Sequence, residues 1–239
     1  MIISLLFVWS GFVRGGLGFG GAALAMPLML LVVNDPVLWL PVISFHLLIF
    51  SAITLYGRLK WVDWAFLKKA LIVLLIPKLI GVFGLLSLPN SVLVTVIYGI
   101  TLVYGLTYIV DFQFRSGGKW LDAILLIIGG YASGTSLIGA PLISAVFARH
   151  VEIAKLRDTL FFLWMIMVMI KMSTFVAFNV DLQLKYGLLF LPLVGLGHWL
   201  GLKVHRYLIN DQGRRYKRVI GVLLVLICVY GLWANLSSQ

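Results

Sequence analysis

Three cations in apolar surroundings carry most of this chain's chemical potential. Of its 19 Lys and Arg residues, fifteen fall in four connections and Lys185 in another, leaving Arg14, Lys78 and Lys171 inside apolar segments. All eight carboxylates (Asp35, Asp63, Asp111, Asp122, Glu152, Asp158, Asp181 and Asp211) fall in or beside connections. A charge near the centre of a bilayer costs about 3 kcal/mol or more and usually marks a pathway. Cations with no protein counter-ion call for an anion from solution. Arg14 opens the glycine run RGGLGFGG, and a second small-residue run, SGTSLIGA, extends from Ser133 to Ala140. Mid-helix glycine costs roughly 1 kcal/mol relative to alanine, so both runs are expected to interrupt helices. Short helices starting near Gly21 and Leu137 would then aim their N-termini at the midplane. Such ends expose N–H groups and about half a positive charge. Gly15, Gly16, Gly18, Gly20 and Gly21 in the first run, and Gly134 and Gly139 in the second, let a ligand approach the backbone. Ser133, Thr135 and Ser136 offer hydroxyl donors. With Arg14 these make one compact site, and guanidinium forks and hydroxyls suit a sulfonate, sulfite or carboxylate.

Four further residues are candidates for coupling or gating: His46, Lys78, Lys171 and His198. Imidazole titrates at about pH 6.5, which suits proton coupling. Structural alternatives stand beside each role. Arg14 could snorkel or bind a carbonyl, Lys78 could be packed, Lys171 could reach an interface, and His46 could be satisfied within a helical core. The run GGLGFGG has a GxGxxG-like spacing but follows no strand, which argues against a nucleotide. The sequence shows no metal-ligand cluster, no nucleophile–base pair and no ATP-binding motif. The reading is therefore of a protein without cofactor or metal that is not an enzyme.

The elements that must position these residues are membrane helices. The 239 residues are 62% hydrophobic and 11% charged, where soluble domains have about 45–50% and about 25%. Mean hydropathy is +1.08. These proportions exclude a cytosolic enzyme, a nucleic-acid-binding module and a secreted disulfide scaffold. The net charge of +11 reads as positive-inside topology and contact with anionic lipid, not with nucleic acid. The single Cys228 lies in an apolar run, allows no internal disulfide and reads as a buried, inert thiol. The N-terminus has no basic n-region and no A-x-A site, so it reads as membrane segment, not as a cleaved signal.

Six apolar segments are long enough to cross: 37–55, 70–87, 91–110, 159–178, 186–203 and 219–236. Four shorter ones pair into hairpins at 1–33 and 119–149, each broken at its glycine or small-residue run. Gly11 to Gly15 match Gly130 to Gly134 at an offset of 119, and Pro77 to Gly81 match Gly197 to Gly201 at 120. This argues for an internal duplication of residues 1–116 and 117–239. The basic connections 56–69, 111–119, 149–158 and 203–218 belong in the cytoplasm by the positive-inside rule, which puts both termini outside. Each half then has a re-entrant hairpin and three crossings, so the halves are inverted. Inverted repeats with broken helices at the midplane are an architecture of secondary transporters.

GFVRGGLGFGGAALAMPLMLLV resembles the N-terminal glycine-rich signature of the TauE/SafE sulfite exporter family, also called TSUP. YASGTSLIGAPLISAVFAR followed by LRDTLFFLW resembles that family's second-repeat signature. Both stand at half-chain spacing, so the resemblance covers essentially the whole chain. It implies export or uptake of small sulfur-containing or organic anions, such as sulfite, sulfoacetate or other sulfonates, across a bacterial-type plasma membrane. The family's second repeat more usually has a glycine-rich tip where this chain has SGTSLIGA, with hydroxyls replacing some glycines. The expected protein is an all-α polytopic secondary transporter of two inverted repeats. Its partners are a small anionic substrate and membrane lipid, and it works by alternating access. Proton coupling and uniport both remain open. An anion channel and a non-transporting membrane accessory subunit are the alternatives.

Overall fold

Long apolar stretches in lipid must satisfy their backbone internally, and this chain does so with helices. The computed structural model describes residues 2–17, 21–112, 117–209 and 213–237, without the side chains of 17, 21–23, 205–209 and 213–217. It is 88% helical, with no strand among the described residues. The helices are α1 (Ile2–Leu17), α2 (Gly21–Val32), α3 (Pro36–Leu55), α4 (Trp64–Ser87), α5 (Asn90–Ile109), α6 (Lys119–Ser136), α7 (Ala140–His150), α8 (Ile153–Ala177), α9 (Leu184–Ile209) and α10 (Gly213–Ser237). A single 3-10 turn occupies Leu59–Trp61.

Six of these helices are long and apolar enough to span a membrane: α3, α4, α5, α8, α9 through Val204, and α10 from Arg218. At about 1.5 Å per residue, α4 with its 24 residues reaches about 36 Å. By the same measure α2 and α7, at 12 and 11 residues, reach only about 18 and 17 Å and cannot cross. Side chains set the helix starts. Asp35 Oδ1 accepts the Val37 and Leu38 N–H groups at 2.8 and 3.2 Å, capping α3 behind Pro36. Asp63 Oδ1 accepts the Phe66 N–H at 3.0 Å and caps α4. Along α4, Ile72, Ile76 and Ile80 repeat every four residues and are all exposed, the pattern of a lipid-facing stripe.

The chain forms two compact units. Unit 1 comprises Met1–Trp39, Leu88–Gln113 and Leu188–Gln239. In it α1 and α2 form a hairpin, and α5 packs on α10. Val13, Leu24, Ile220 and Leu224 form a core cluster flanked by Trp9, Phe12 and Tyr108. Tyr98 is buried against Gly231, where an added Cβ would meet its ring, and its hydroxyl donates to the Pro27 carbonyl at 3.3 Å. Cys228 is buried and free.

Unit 2 comprises Leu40–Ser87 and Phe114–Gly187. Here α6 packs along α4 and turns back through residues 137–139 into α7, with α8 against both α4 and α7. Ion pairs centred on Asp158 and Asp122 tie this unit together. Arg58 donates from Nε and Nη2 to the two carboxylate oxygens of buried Asp158, both at 2.8 Å. The hydrogen bond and attraction from Asp158 raise the Arg58 guanidinium above its ordinary value. Asp122 on α6 accepts Arg149 Nη1 at 3.2 Å and His150 Nε2 at 2.8 Å from α7, tying the hairpin's ends together. Arg58 is half exposed, so the value of its pair lies mainly in not stranding Asp158. Arg58→Ala is expected to lower unfolding stability in detergent by roughly 2 kcal/mol, read as a melting temperature, with Arg58→Lys intermediate.

Some expected boundaries are corrected. Both glycine and small-residue runs were expected to interrupt their helices from Arg14 and Ser133 onward. Instead α1 continues through Arg14, Gly15 and Gly16 to Leu17, and α6 continues through Ser133, Gly134 and Thr135 to Ser136. Close backbone packing against a second helix offsets the poor helix propensity of these glycines. The break in the second hairpin is confined to 137–139, so its return helix starts at Ala140 and not at Leu137. The connections are also shorter than the basic clusters. Lys68 and Lys69 lie on α4, Lys155 and Arg157 on α8, and Lys203 on α9. Hydropathy marks the lipid-facing length of a helix, whereas Lys and Arg are good helix formers that continue it beyond the hydrocarbon.

Candidate functional sites within the two units

In unit 1 the crossing of α1 and α9 is built from glycine on both sides. Gly11 and Gly15 of α1 press on the α9 backbone: a Cβ at Gly11 would overlap the Val194 carbonyl, and one at Gly15 the His198 carbonyl. From α9, a Cβ at Gly197 would overlap the Val8 carbonyl, and one at Gly201 would lie 2.6 Å from the Gly16 nitrogen. With no side chains between them, the backbones meet directly. Arg14, next to Gly15, is therefore held in the interior at 4% exposure. Its Nη1 and Nη2 have no hydrogen-bond partner among the described residues. His198 is buried on the facing helix. Gly16 is buried and helical, Gly21 opens α2, and Gly18 and Gly20 lie outside the described residues.

In unit 2 the crossing of α4 and α6 repeats the arrangement. A Cβ at Gly134 would overlap the Lys78 carbonyl and lie 2.7 Å from Gly81 Cα. One at Gly81 would overlap the Tyr131 carbonyl. Lys78 is fully buried, and its Nζ donates to the Ser133 carbonyl at 2.8 Å and to Ser133 Oγ at 3.1 Å. The other two hydroxyls are bonded within their own helix. Thr135 Oγ1 donates to the Ala132 carbonyl at 3.2 Å and the Tyr131 carbonyl at 3.3 Å, and Ser136 Oγ donates to the Ala132 carbonyl at 2.9 Å. A ligand drawing on them competes with those bonds. The break itself is tense. Leu137 is left-handed at φ 61°, a conformation that strains residues other than glycine. A Cβ at Gly139 would overlap the Gly129 carbonyl, so only glycine fits where α7 turns back along α6.

Lys171 on α8 is fully buried, and its Nζ has no hydrogen-bond partner among the described residues. The Phe175 ring lies 5.9 Å away, one turn on. His46 on α3 is buried, with Nε2 2.7 Å from the Gly187 carbonyl. A carbonyl only accepts, so the proton sits on Nε2. Two buried groups without a partner among the described residues escaped the sequence reading: Ser44 Oγ and Trp164 Nε1. Trp164 precedes Lys171 by seven residues, two turns on one helical face, and that period was the available signal. No group of three His, Cys, Asp or Glu side chains comes together among the described residues. A groove of about 550 Å³ between Phe83 of α4 and Ile166, Met169, Ser173 and Phe178 is open and mostly apolar, and contains none of the buried cations.

A family model described as sulfite exporter TauE/SafE matches residues 3–231. The chain belongs to the TauE/SafE family. No curated protein and no solved structure matches it. TauE/SafE is a family of transporters, and this member's apolar helices make it a multi-pass membrane protein. The match spans both glycine crossings and the positions of Arg14, Lys78 and Lys171 in this TauE/SafE chain.

Proposed function

We propose that the protein is a secondary transporter that moves a small organic or sulfur-containing anion, such as sulfite, sulfoacetate or a related sulfonate, across a bacterial-type plasma membrane. One observation carries this reading: Arg14, Lys78 and Lys171 are buried, and none takes part in an ion pair among the described residues. Buried Asp122 and Asp158 have their own cationic partners. An uncompensated charge in the interior costs several kcal/mol, which a bound anion offsets. Arg14 supplies a planar fork and the lysines compact point charges. His46 and His198 are the residues through which proton coupling would run, and alternating access is the mechanism that fits a carrier. The basic connections face the cytoplasm and both termini face outside.

Uptake of sulfite and sulfoacetate into proteoliposomes, with and without a pH gradient, tests this. The expected result is saturable flux at carrier rates. Currents near diffusion rates would make the protein a channel. Absence of both flux and binding for small sulfur oxyanions and carboxylates would overturn the reading.

A further inference from the structure

We propose that unit 2 contains an oxyanion-binding site of its own, with the Lys171 ammonium as its principal ligand and Lys78 as its second cation. The proposal rests on the reading of the protein as an anion transporter and assigns Lys171 a direct role in binding.

Lys171 Nζ and Trp164 Nε1, seven residues apart on α8, are both donors with no partner among the described residues. Lys171 Nζ carries three N–H bonds and meets no acceptor among the described residues. Phe175, 5.9 Å away, offers only a ring face at the outer limit of a cation–π contact. Lys78 adds a second buried cation from α4, which packs against α8 with Trp64 on Phe162 at 4.7 Å and Phe83 on Phe178 at 5.5 Å. Two of the Lys78 N–H bonds are taken by Ser133, which fixes the ammonium and leaves one bond to give. Trp164 presents, on the Lys171 face of α8, an indole N–H with no partner among the described residues.

The carboxylates of the unit are committed elsewhere. Asp158 is held by Arg58, Asp122 by Arg149 and His150, and Asp63 caps α4. Asp181 accepts from Gln183, and Glu152 pairs with Lys155. None of these described carboxylates is left to serve Lys171, and an oxyanion from solution would supply the acceptor. Two ammonium groups and an indole N–H complement a compact oxyanion with several acceptor oxygens, such as sulfite or the sulfonate end of sulfoacetate. Point charges impose no fixed fork, so the pyramidal and tetrahedral forms both fit. A neutral Lys171 amine packed only for shape is the competing account, and the experiment separates the two.

Sodium sulfite and sodium sulfoacetate, with sodium chloride as control, are titrated calorimetrically into the purified full chain in nanodiscs. Lys171→Met keeps length and volume and removes the charge. Its Kd is expected to rise at least tenfold, with no fall in melting temperature, and Lys171→Arg is expected to recover part of the affinity. An unchanged Kd in Lys171→Met would overturn the proposal and leave the transporter reading standing. Absence of binding by the unaltered chain would sink both. A second measurement does not depend on the folding of the lysine variants: anion-induced change in tryptophan fluorescence, compared with Trp164→Phe. The expected result is loss of most of that change, and an identical change in Trp164→Phe would count against the site.

Discussion

Arg14→Gln is expected to abolish anion uptake by the reconstituted protein and to leave it folded, with a higher melting temperature. The side chain is interior, and both terminal nitrogens lack a partner among the described residues. Glutamine retains hydrogen-bonding capacity and much of the length but has no charge. Each charge-assisted hydrogen bond to a bound oxyanion is worth about 1.5–3 kcal/mol. Losing a two-pronged contact therefore weakens substrate binding by more than ~100-fold. Without ligand the sign reverses, because the variant no longer holds an uncompensated charge in a low-dielectric interior. A gain of 1 kcal/mol corresponds to roughly 3 °C in a chain of this size. Uptake of labelled sulfoacetate and thermal unfolding, measured on one preparation, check both halves. Normal uptake would remove Arg14 from the site. Lost uptake with a lower melting temperature would make it a structural residue.

Much of this architecture is legible in the sequence because lipid simplifies the rules. With no water to bond the backbone, a long apolar run has to be a helix, and all six expected spans coincide with helices of the structure. The two hairpins are legible for the same reason: their return helices are too short to cross. What hydropathy could not show was which glycines stay helical. Gly15 and Gly134 look like breakers when read against propensity, but each lies against a carbonyl of another helix, a contact distant in sequence. The same blindness affects the site. Ser133 reads as a free hydroxyl, and only the fold brings Lys78 to it. Asp122 and Asp158 read as residues beside loops, whereas both are buried and paired. A one-dimensional pattern registers the cost of burying a charge but not the partner that offsets it.

The two sequence matches, at offsets of 119 and 120, have a physical counterpart that the linear pattern left unconnected. Gly15 lies under the His198 carbonyl in unit 1, and the matched Gly134 lies against the Lys78 carbonyl in unit 2. Gly201 meets the Phe12 carbonyl, and the matched Gly81 meets the Tyr131 carbonyl. Each match is thus one side of a helix crossing, and each unit joins a hairpin from one half of the sequence to a helix from the other. This arrangement accounts for the compact units cutting the chain differently from the sequence halves.

Such a crossing leaves no route for relaxation, which gives the second large prediction. Overpacking in a core usually costs about 1–3 kcal/mol, because side chains can shift. At Gly81 and Gly134 the obstacle is the backbone of the facing helix, so Gly81→Val or Gly134→Val has to drive α4 and α6 apart along their length. The expected loss exceeds ~3 kcal/mol, enough to prevent recovery of monodisperse protein, since whole domains are stable by only about 5–15 kcal/mol. Gly15→Val and Gly201→Val should fail equally, because unit 1 has the same contacts at the matched positions. Gly99→Ala on α5 is the control: an added Cβ there meets nothing within 4 Å, and alanine favours the helix by up to about 1 kcal/mol. Size-exclusion profiles and melting curves for the five variants decide the matter. If Gly134→Val eluted and melted like Gly99→Ala, α4 and α6 could not be in backbone contact. Lys78 would then lose the packing that holds its ammonium against Ser133, and with it the fixed second cation proposed for unit 2.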